Sequence, residues 1–213
     1  MSIAQNIDQF QELLPEGVEL IAVSKTKPAS DILLAYNAGH RIFGENRAQE
    51  MAEKHGQLPG DIAWHAIGHL QRNKVKYISG FVSLIHSVDS MRLLSTIDVE
   101  GGKHDRVINC LLQVHIAEEE SKSGFTEEEL DEVLHGSELS NLKHVNVKGL
   151  MGMATYTHDK DKVSGEFRNL KEIFDKYENL EILSMGMSGD YQIAIEEGSN
   201  MVRVGSLIFG ERN

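Results

Sequence analysis

The sequence predicts an α/β chain folded as a (β/α)8 TIM-type barrel, and three observations carry that prediction. Short β-rich apolar runs alternate about eight times with longer stretches of helical period, the order that a parallel sheet with crossover helices requires. Those runs are near-continuous in Val, Ile and Leu instead of strictly alternating, as suits strands covered on both faces. A chain of 213 residues, 40% of them hydrophobic, suffices for one sizeable core, so residues 1–213 are expected to form a single domain. An open doubly wound sheet is the second architecture that such an alternation permits.

In chain order the strand runs are VELIAVS (18–24), RIFG (41–44), IAWHAIG (62–68), FVSLIHSV (81–88), RVINCLLQVHI (106–116), VNVKGLMGM (145–153), LEILSMG (180–186) and NMVRVG (200–205). Between them SDILLAYNAG, ENRAQEMAEKHG, TEEELDEVLHG and FRNLKEIFDKYENL are amphipathic, and several close on a Gly or Asn helix stop. Thr126 and Glu129 stand at capping-box spacing, which makes Thr126 an N-cap, and Pro28 is expected in the first turn of the helix after the first strand. Only Pro15, Pro28 and Pro59 occur, and no Ser/Gly/Pro-rich stretch marks a linker.

Thirty-three acidic against 21 basic residues give a formal charge of -12, which argues against a nucleic-acid partner and against an anionic membrane. A small ligand is expected. A phosphate remains open to it, because backbone amides and one arginine decide phosphate binding locally. The N-terminus MSIAQNIDQF lacks a charged and apolar leader, and no apolar stretch reaches bilayer length, so a cytoplasmic protein is expected. The lone Cys110, inside VINCLLQV, reads as a buried structural thiol.

A barrel collects function at the C-terminal ends of its strands, and the polar oddities of this sequence lie there. In LIAVSKTKP an apolar run feeds into Lys25; an amine partly desolvated by barrel walls loses basicity and becomes a nucleophile suited to an aldehyde. The bland alternative is that Lys25 and Lys27 are two solvated loop lysines. Arg203 stands in the apolar eighth run, so it needs a partner, while Gly205 allows close backbone approach and a helix from Ser206 offers amides to a phosphate. Ser188 and Gly189, in the loop after the seventh run, can serve the same anion. Otherwise Ser188 is a helix cap and Arg203 a structural ion pair; G-M-S-G lacks the second spacer of a hydrolase elbow. His65 and His69 stand four apart but do not share a helix, so a metal is not expected; His65 is read as lining the barrel mouth and His69 as opening a helix. Asn46 lies just after the second strand, where its carboxamide can orient an aromatic oxygen or simply start a helix. Lys122 and Gly124 are placed to reach the same mouth.

Taken in order, AVSKTKP, FGENRAQE, WHAIGHLQRNK, HSVDS, KSGF, GLMGMA, SMGMSGD and VRVGSLIFGER resemble the pyridoxal phosphate homeostasis proteins, the YggS/PROSC-like family, from end to end. That resemblance implies the fold-type III barrel that binds pyridoxal 5′-phosphate (PLP), similar to the N-terminal domain of alanine racemase. It implies that Lys25 forms the Schiff base with PLP, that Arg203 faces the pyridine nitrogen, and that Ser188, Gly189, Gly205 and Ser206 hold the phosphate. Asn46 and His65 complete the expected cofactor site. A guanidinium accepts no proton, so the pyridine opposite it stays unprotonated and is a poor electron sink. Two positions depart from the family pattern: Thr155 and Tyr156 replace the usual proline after GLMGMA, and Ala66 stands where a bulkier residue would fill the pocket wall.

The resemblance therefore implies a carrier or regulator of vitamin B6, with PLP-dependent apo-enzymes as candidate partners, rather than a dedicated enzyme. The alternative is a small fold-type III PLP enzyme such as an amino-acid racemase. That reading needs a second acid/base opposite the lysine, typically a tyrosine from a further domain. The sequence runs to Asn213 and no such domain is expected, which removes one reason to dimerise; the resemblance implies a monomer. A barrel acting on a phosphorylated metabolite without PLP is the third reading; it would be colourless where bound PLP is yellow.

Overall fold

The computed structural model describes residues 2–119 and 123–211. Eight parallel strands close into a barrel in sequence order: β1 (Glu19–Val23), β2 (Ile42–Glu45), β3 (Ala63–Ala66), β4 (Leu84–Val88), β5 (Ile108–Gln113), β6 (Val145–Met151), β7 (Ile182–Met187) and β8 (Met201–Val204). The pairing of β1 with β8, in the register Ile21 to Arg203, closes the ring and excludes the open doubly wound sheet.

The outer layer begins with α1 (Ile3–Leu13), followed by α2 (Ala29–Asn37) and α3 (Ala48–His55). After β3 the crossover is a 3-10 helix, Arg72–Tyr77, and α4 (Met91–Gly102) follows β4. Then come α5 (Glu127–His135), α6 (Ser137–Ser140), α7 (Lys160–Phe174), α8 (Tyr191–Glu196) and α9 (Ser206–Phe209). Thr126 caps α5 in a complete capping box with Glu129. Pro28 is the cap of α2, one position before the expected first turn. The seventh helix starts seven residues before FRNLKEIF, because Asp159 caps it and Val163 joins Phe167 and Leu170 on its buried face.

Strand alternation divides the core in two. Outward residues such as Ala22, Phe43, Trp64, Ile85, Leu112, Leu150 and Val202 pack under the helices in the main cluster, which also buries Cys110. Inward residues Ile21, Leu84, Leu111, Met151 and Met201 form a separate apolar floor inside the barrel. One alternation further along the strands the inward positions turn polar and remain buried: His65, His86, Gln113, Ser184 and Arg203. The buried Ala66 belongs to the outer cluster, so its small side chain thins the helix layer and leaves the pocket wall untouched, contrary to the expectation from sequence.

One register shift, between β5 and β6, lies next to a glycine that the approach of β7 requires. Opposite Cys110 and Leu111 stand Val147 and Gly149, so Lys148 is the extra residue of a bulge. A Cβ on Gly149 would lie 1.8 Å from the carbonyl oxygen of Ile182, which no side chain can occupy.

Candidate binding site at the barrel mouth

At the C-terminal ends of the strands a cavity of about 530 Å³ opens. Its walls include Lys25 after β1, Asn46 after β2, Ser188 and Gly189 after β7, Arg203 in β8, and Gly205 and Ser206 after it. Seven of the eight residues expected from sequence thus share one cavity. Ile67, Met153, Tyr156 and Met187 supply apolar surface, the mixture usual for a small-molecule site.

His65 is not on that wall. It lies beneath it, buried in the barrel, where its Nδ1 is 3.0 Å from Nε2 of His86, and Nδ1 of His86 is 3.0 Å from Oγ of Ser184. The expectation that His65 lines the mouth is thereby corrected: it is an inward residue of β3, one layer too deep. The expectation that His69 opens a helix is also corrected, since it sits in the loop before the 3-10 helix and pairs with Asp89 at 3.3 Å. Gly124 packs against the backbone of His115 and Val114 beyond β5 and contributes nothing to the wall, and Lys122 lies outside the described residues. Asn46 does not cap α3; Arg47 holds that position. A Cβ on Gly68 would stand 2.6 Å from the carbonyl oxygen of Asn46, so the glycine lets the loop after β3 press Asn46 into place.

The partner that Arg203 requires is not a carboxylate. Its Nη1 donates to the carbonyl and hydroxyl oxygens of Ser184, at 2.9 and 2.7 Å, and its Nη2 donates to the carbonyl of Gly152 at 3.1 Å. Burial lowers its pKa to about 10, which still leaves it charged at neutral pH. The Ser184 hydroxyl accepts from Arg203 and is hydrogen-bonded to Nδ1 of His86, whose Nε2 is in turn hydrogen-bonded to Nδ1 of His65, so one chain of contacts runs from the guanidinium to His65. Both rings are neutral: burial holds His65 down to about 3, and it holds His86 well below its ordinary value.

The loops after β7 and β8 are tied together, because the Gly205 N–H donates to Oγ of Ser188 at 3.1 Å. That amide is therefore engaged, and the phosphate donors left at this corner are the Ser188 and Ser206 hydroxyls with the Gly189 and Ser206 amides, which have no protein acceptor among the described residues. Open space faces the missing side chain of Gly189, whereas Gly205 lets β8 approach β1, its absent Cβ standing 3.2 Å from the Val23 carbonyl. With a primary amine on one side, a fixed cation below and neutral donors at the corner, the site suits a phosphorylated aromatic aldehyde.

Behind Lys25 lies a cluster that sequence reading missed. The Lys54 ammonium donates to the Ser24 carbonyl at 2.9 Å, to Oε1 of Glu45 at 2.7 Å and to Oε1 of Glu50 at 2.7 Å. Glu45 also accepts from Oγ of Ser24 at 2.6 Å, and Glu50 accepts from the N–H of Thr26 at 2.7 Å. Burial raises the Glu45 pKa; for Glu50 the opposing burial is outweighed by hydrogen bonds from Lys54 and Thr26, and its pKa falls. Thr26 has φ 66°, a left-handed conformation that a β-branched residue holds at a cost of roughly 1–3 kcal/mol. The signal was present in sequence as a Glu50/Lys54 pair at helical spacing, but nothing in the spacing pointed that pair at Lys25.

A family model described as the alanine racemase N-terminal domain matches residues 1–213. Curated relatives named pyridoxal phosphate homeostasis protein include that of Aquifex aeolicus, 42% identical over 201 residues that cover 91% of this chain and 87% of the relative. The Synechocystis relative of the same name is 39% identical over 204 residues, covering 93% of this chain and 94% of its own. The solved structure of PipY from Synechococcus elongatus with PLP bound superimposes with a TM-score of 0.90 at 36% identity, covering 98% of this chain and 100% of that one. An alanine racemase from Clostridium difficile shares the fold alone, with a TM-score of 0.78 at 14% identity over 99% of this chain and 57% of its own.

Proposed function

Because this chain belongs to the pyridoxal phosphate homeostasis proteins, built on the alanine racemase N-terminal barrel, we propose that it binds PLP in the mouth cavity and holds it on Lys25. The observation that carries the proposal is the convergence of Lys25, Arg203 and the Ser188/Ser206 corner on one cavity. Bound there, PLP supplies an aldehyde carbon to which Nζ of Lys25 adds with loss of one water, a reversible condensation that needs no oxidant or reductant. Ser188, Gly189 and Ser206 donate to the phosphate, with Gly205 shaping the turn, and Asn46 orients the ring oxygen. Arg203 faces the ring nitrogen as a donor only. His65 acts from below, through His86 and Ser184, by holding that guanidinium in place.

In this reading the chain is a cytosolic, monomeric carrier or regulator of vitamin B6, as a single barrel domain, that exchanges PLP with apo-enzymes and runs no dedicated reaction. One observation favours a second reading: among the described residues Tyr156, 95% exposed, is the one tyrosine on the cavity wall and the candidate for the second acid/base that a racemase-like enzyme needs. Absorbance spectra of wild type and Lys25→Ala, before and after borohydride, with mass spectrometry of the reduced protein, test the binding site. A yellow wild type with a phosphopyridoxyl adduct on Lys25, absent in the variant, supports it, and a protein that stays colourless with added PLP overturns it. Amino-acid racemisation by wild type that Tyr156→Phe abolishes would establish the enzyme in place of the carrier.

A further inference from the structure

We propose that Lys54, seated between Glu45 and Glu50, is the positioning residue that aims Lys25 into the cavity. The inference rests on Lys25 being the PLP lysine. The two peptide units that flank the Lys25 Cα are those carrying the Ser24 carbonyl and the Thr26 N–H. Lys54 binds the first directly, and Glu50 binds the second through the same oxygen that accepts from Lys54. Pinning both peptide planes fixes φ and ψ of Lys25, and with them the direction in which its side chain leaves the backbone. The strained turn at Thr26 is part of the same device, since its φ of 66° is held by the Glu50 hydrogen bond at 2.7 Å.

Stability alone does not account for such a cluster. The Lys54 and Glu45 side chains are 8% and 0% exposed, and a pair of apolar residues would fill that space without the desolvation cost of two buried charges. What an apolar pair cannot do is hold the two backbone groups on either side of Lys25. Three acceptors saturate the three donors of Lys54. Lys54 is absent from the cavity wall, so it acts through Lys25.

The test compares wild type with Lys54→Met, Glu50→Ala and the double variant Glu50→Ala/Thr26→Gly. Four quantities are read: the rate of covalent PLP capture by stopped-flow absorbance, the borohydride-trapped site by mass spectrometry, thermal unfolding, and exchange of the Thr26 amide in cofactor-free protein. Lys54→Met and Glu50→Ala should slow capture at Lys25 on the order of tenfold, the scale of a lost orientation, and speed exchange at Thr26. Thr26→Gly should restore capture in the Glu50→Ala background, because glycine takes the left-handed turn unaided. Glu50, with a side chain 22% exposed, carries the test if Lys54→Met does not fold. Capture at the wild-type rate in a variant whose unfolding temperature alone has dropped would overturn the inference while leaving Lys25 as the PLP lysine. A wild type with no adduct on Lys25 overturns both.

Discussion

Acidification from pH 7 to pH 5 should cost the cofactor-free protein about 2 kcal/mol of folding stability through His65 alone, with a further loss of the same sign through His86. Both rings are buried inside the barrel and remain neutral there, His65 down to about 3 and His86 well below 6.5. In the unfolded chain each takes a proton near its ordinary pKa of about 6.5. The unfolded state thus binds more protons through the whole window from about 6.5 down to about 3. Stability from these groups is complete above that window and is lost as the pH falls into it. For His65 the loss between pH 7 and pH 5 is RT times the logarithm of about 32.6 over 1.3, roughly 1.9 kcal/mol, and His86, held well below its ordinary value by burial, adds to it in the same direction. Glu45, whose carboxyl is raised by burial, works in the opposite sense: the folded state takes its proton first, which returns some stability in the window just above 4.5. Urea unfolding at pH 7, 6 and 5 measures the slope, and His65→Gln, which removes one titrating ring, should reduce the loss by about 2 kcal/mol. A wild type with flat stability over this range, or a variant with an unchanged slope, would refute the neutral relay.

Three further substitutions test the packing and the site. Gly149→Ala should exceed the ~1–3 kcal/mol of ordinary overpacking and appear as loss of soluble protein, because its Cβ meets the Ile182 carbonyl at 1.8 Å. Gly68→Ala pushes on the Asn46 backbone at 2.6 Å, so PLP titration should show weakened binding along with a lower unfolding temperature. Arg203→Lys keeps the charge but loses the fork that reaches Ser184 and Gly152 at once; PLP retention on dialysis should fall on the order of tenfold.

The barrel was legible because its strands announce themselves as apolar runs: six of the eight runs contain an observed strand, and those at 41–44 and 180–186 each miss its last residue, Glu45 and Met187. Helices were less so. α1 sits under Ile7 and Phe10 and is capped by Ser2, yet its Gln- and Asn-rich surface hides the apolar stripe. The crossover after β3 is a 3-10 helix with a single buried residue, Val75, too short for a period to register. Among the expected site residues, Lys25, Asn46, Ser188 and Ser206 were singled out by their places after strand ends, which the structure brings to one cavity, while their roles came only from the family resemblance. His65 was set one layer too high, since a strand that ends at Ala66 turns its neighbour inward and down. The relay from His65 through His86 to Ser184 joins residues 21 and 98 apart in the chain, a contact that exists only once the barrel closes. The cluster at Lys54 escaped for the same reason: Ser24 and Lys54 are 30 residues apart.

The cavity straddles the seam where the first strand meets the last, with Lys25 leaving β1, Arg203 in β8, and Ala22 in register with Val204. A ligand held from both sides of that seam binds only a chain whose final strand has docked. Opening of the β1–β8 seam is correspondingly the motion that must release the cargo or be resisted by it: at a hundred times its dissociation constant, a ligand specific for the closed ring opposes that opening by about 2.7 kcal/mol. Under the proposed function, the same junction that completes the barrel is also the one that resists loss of the ligand.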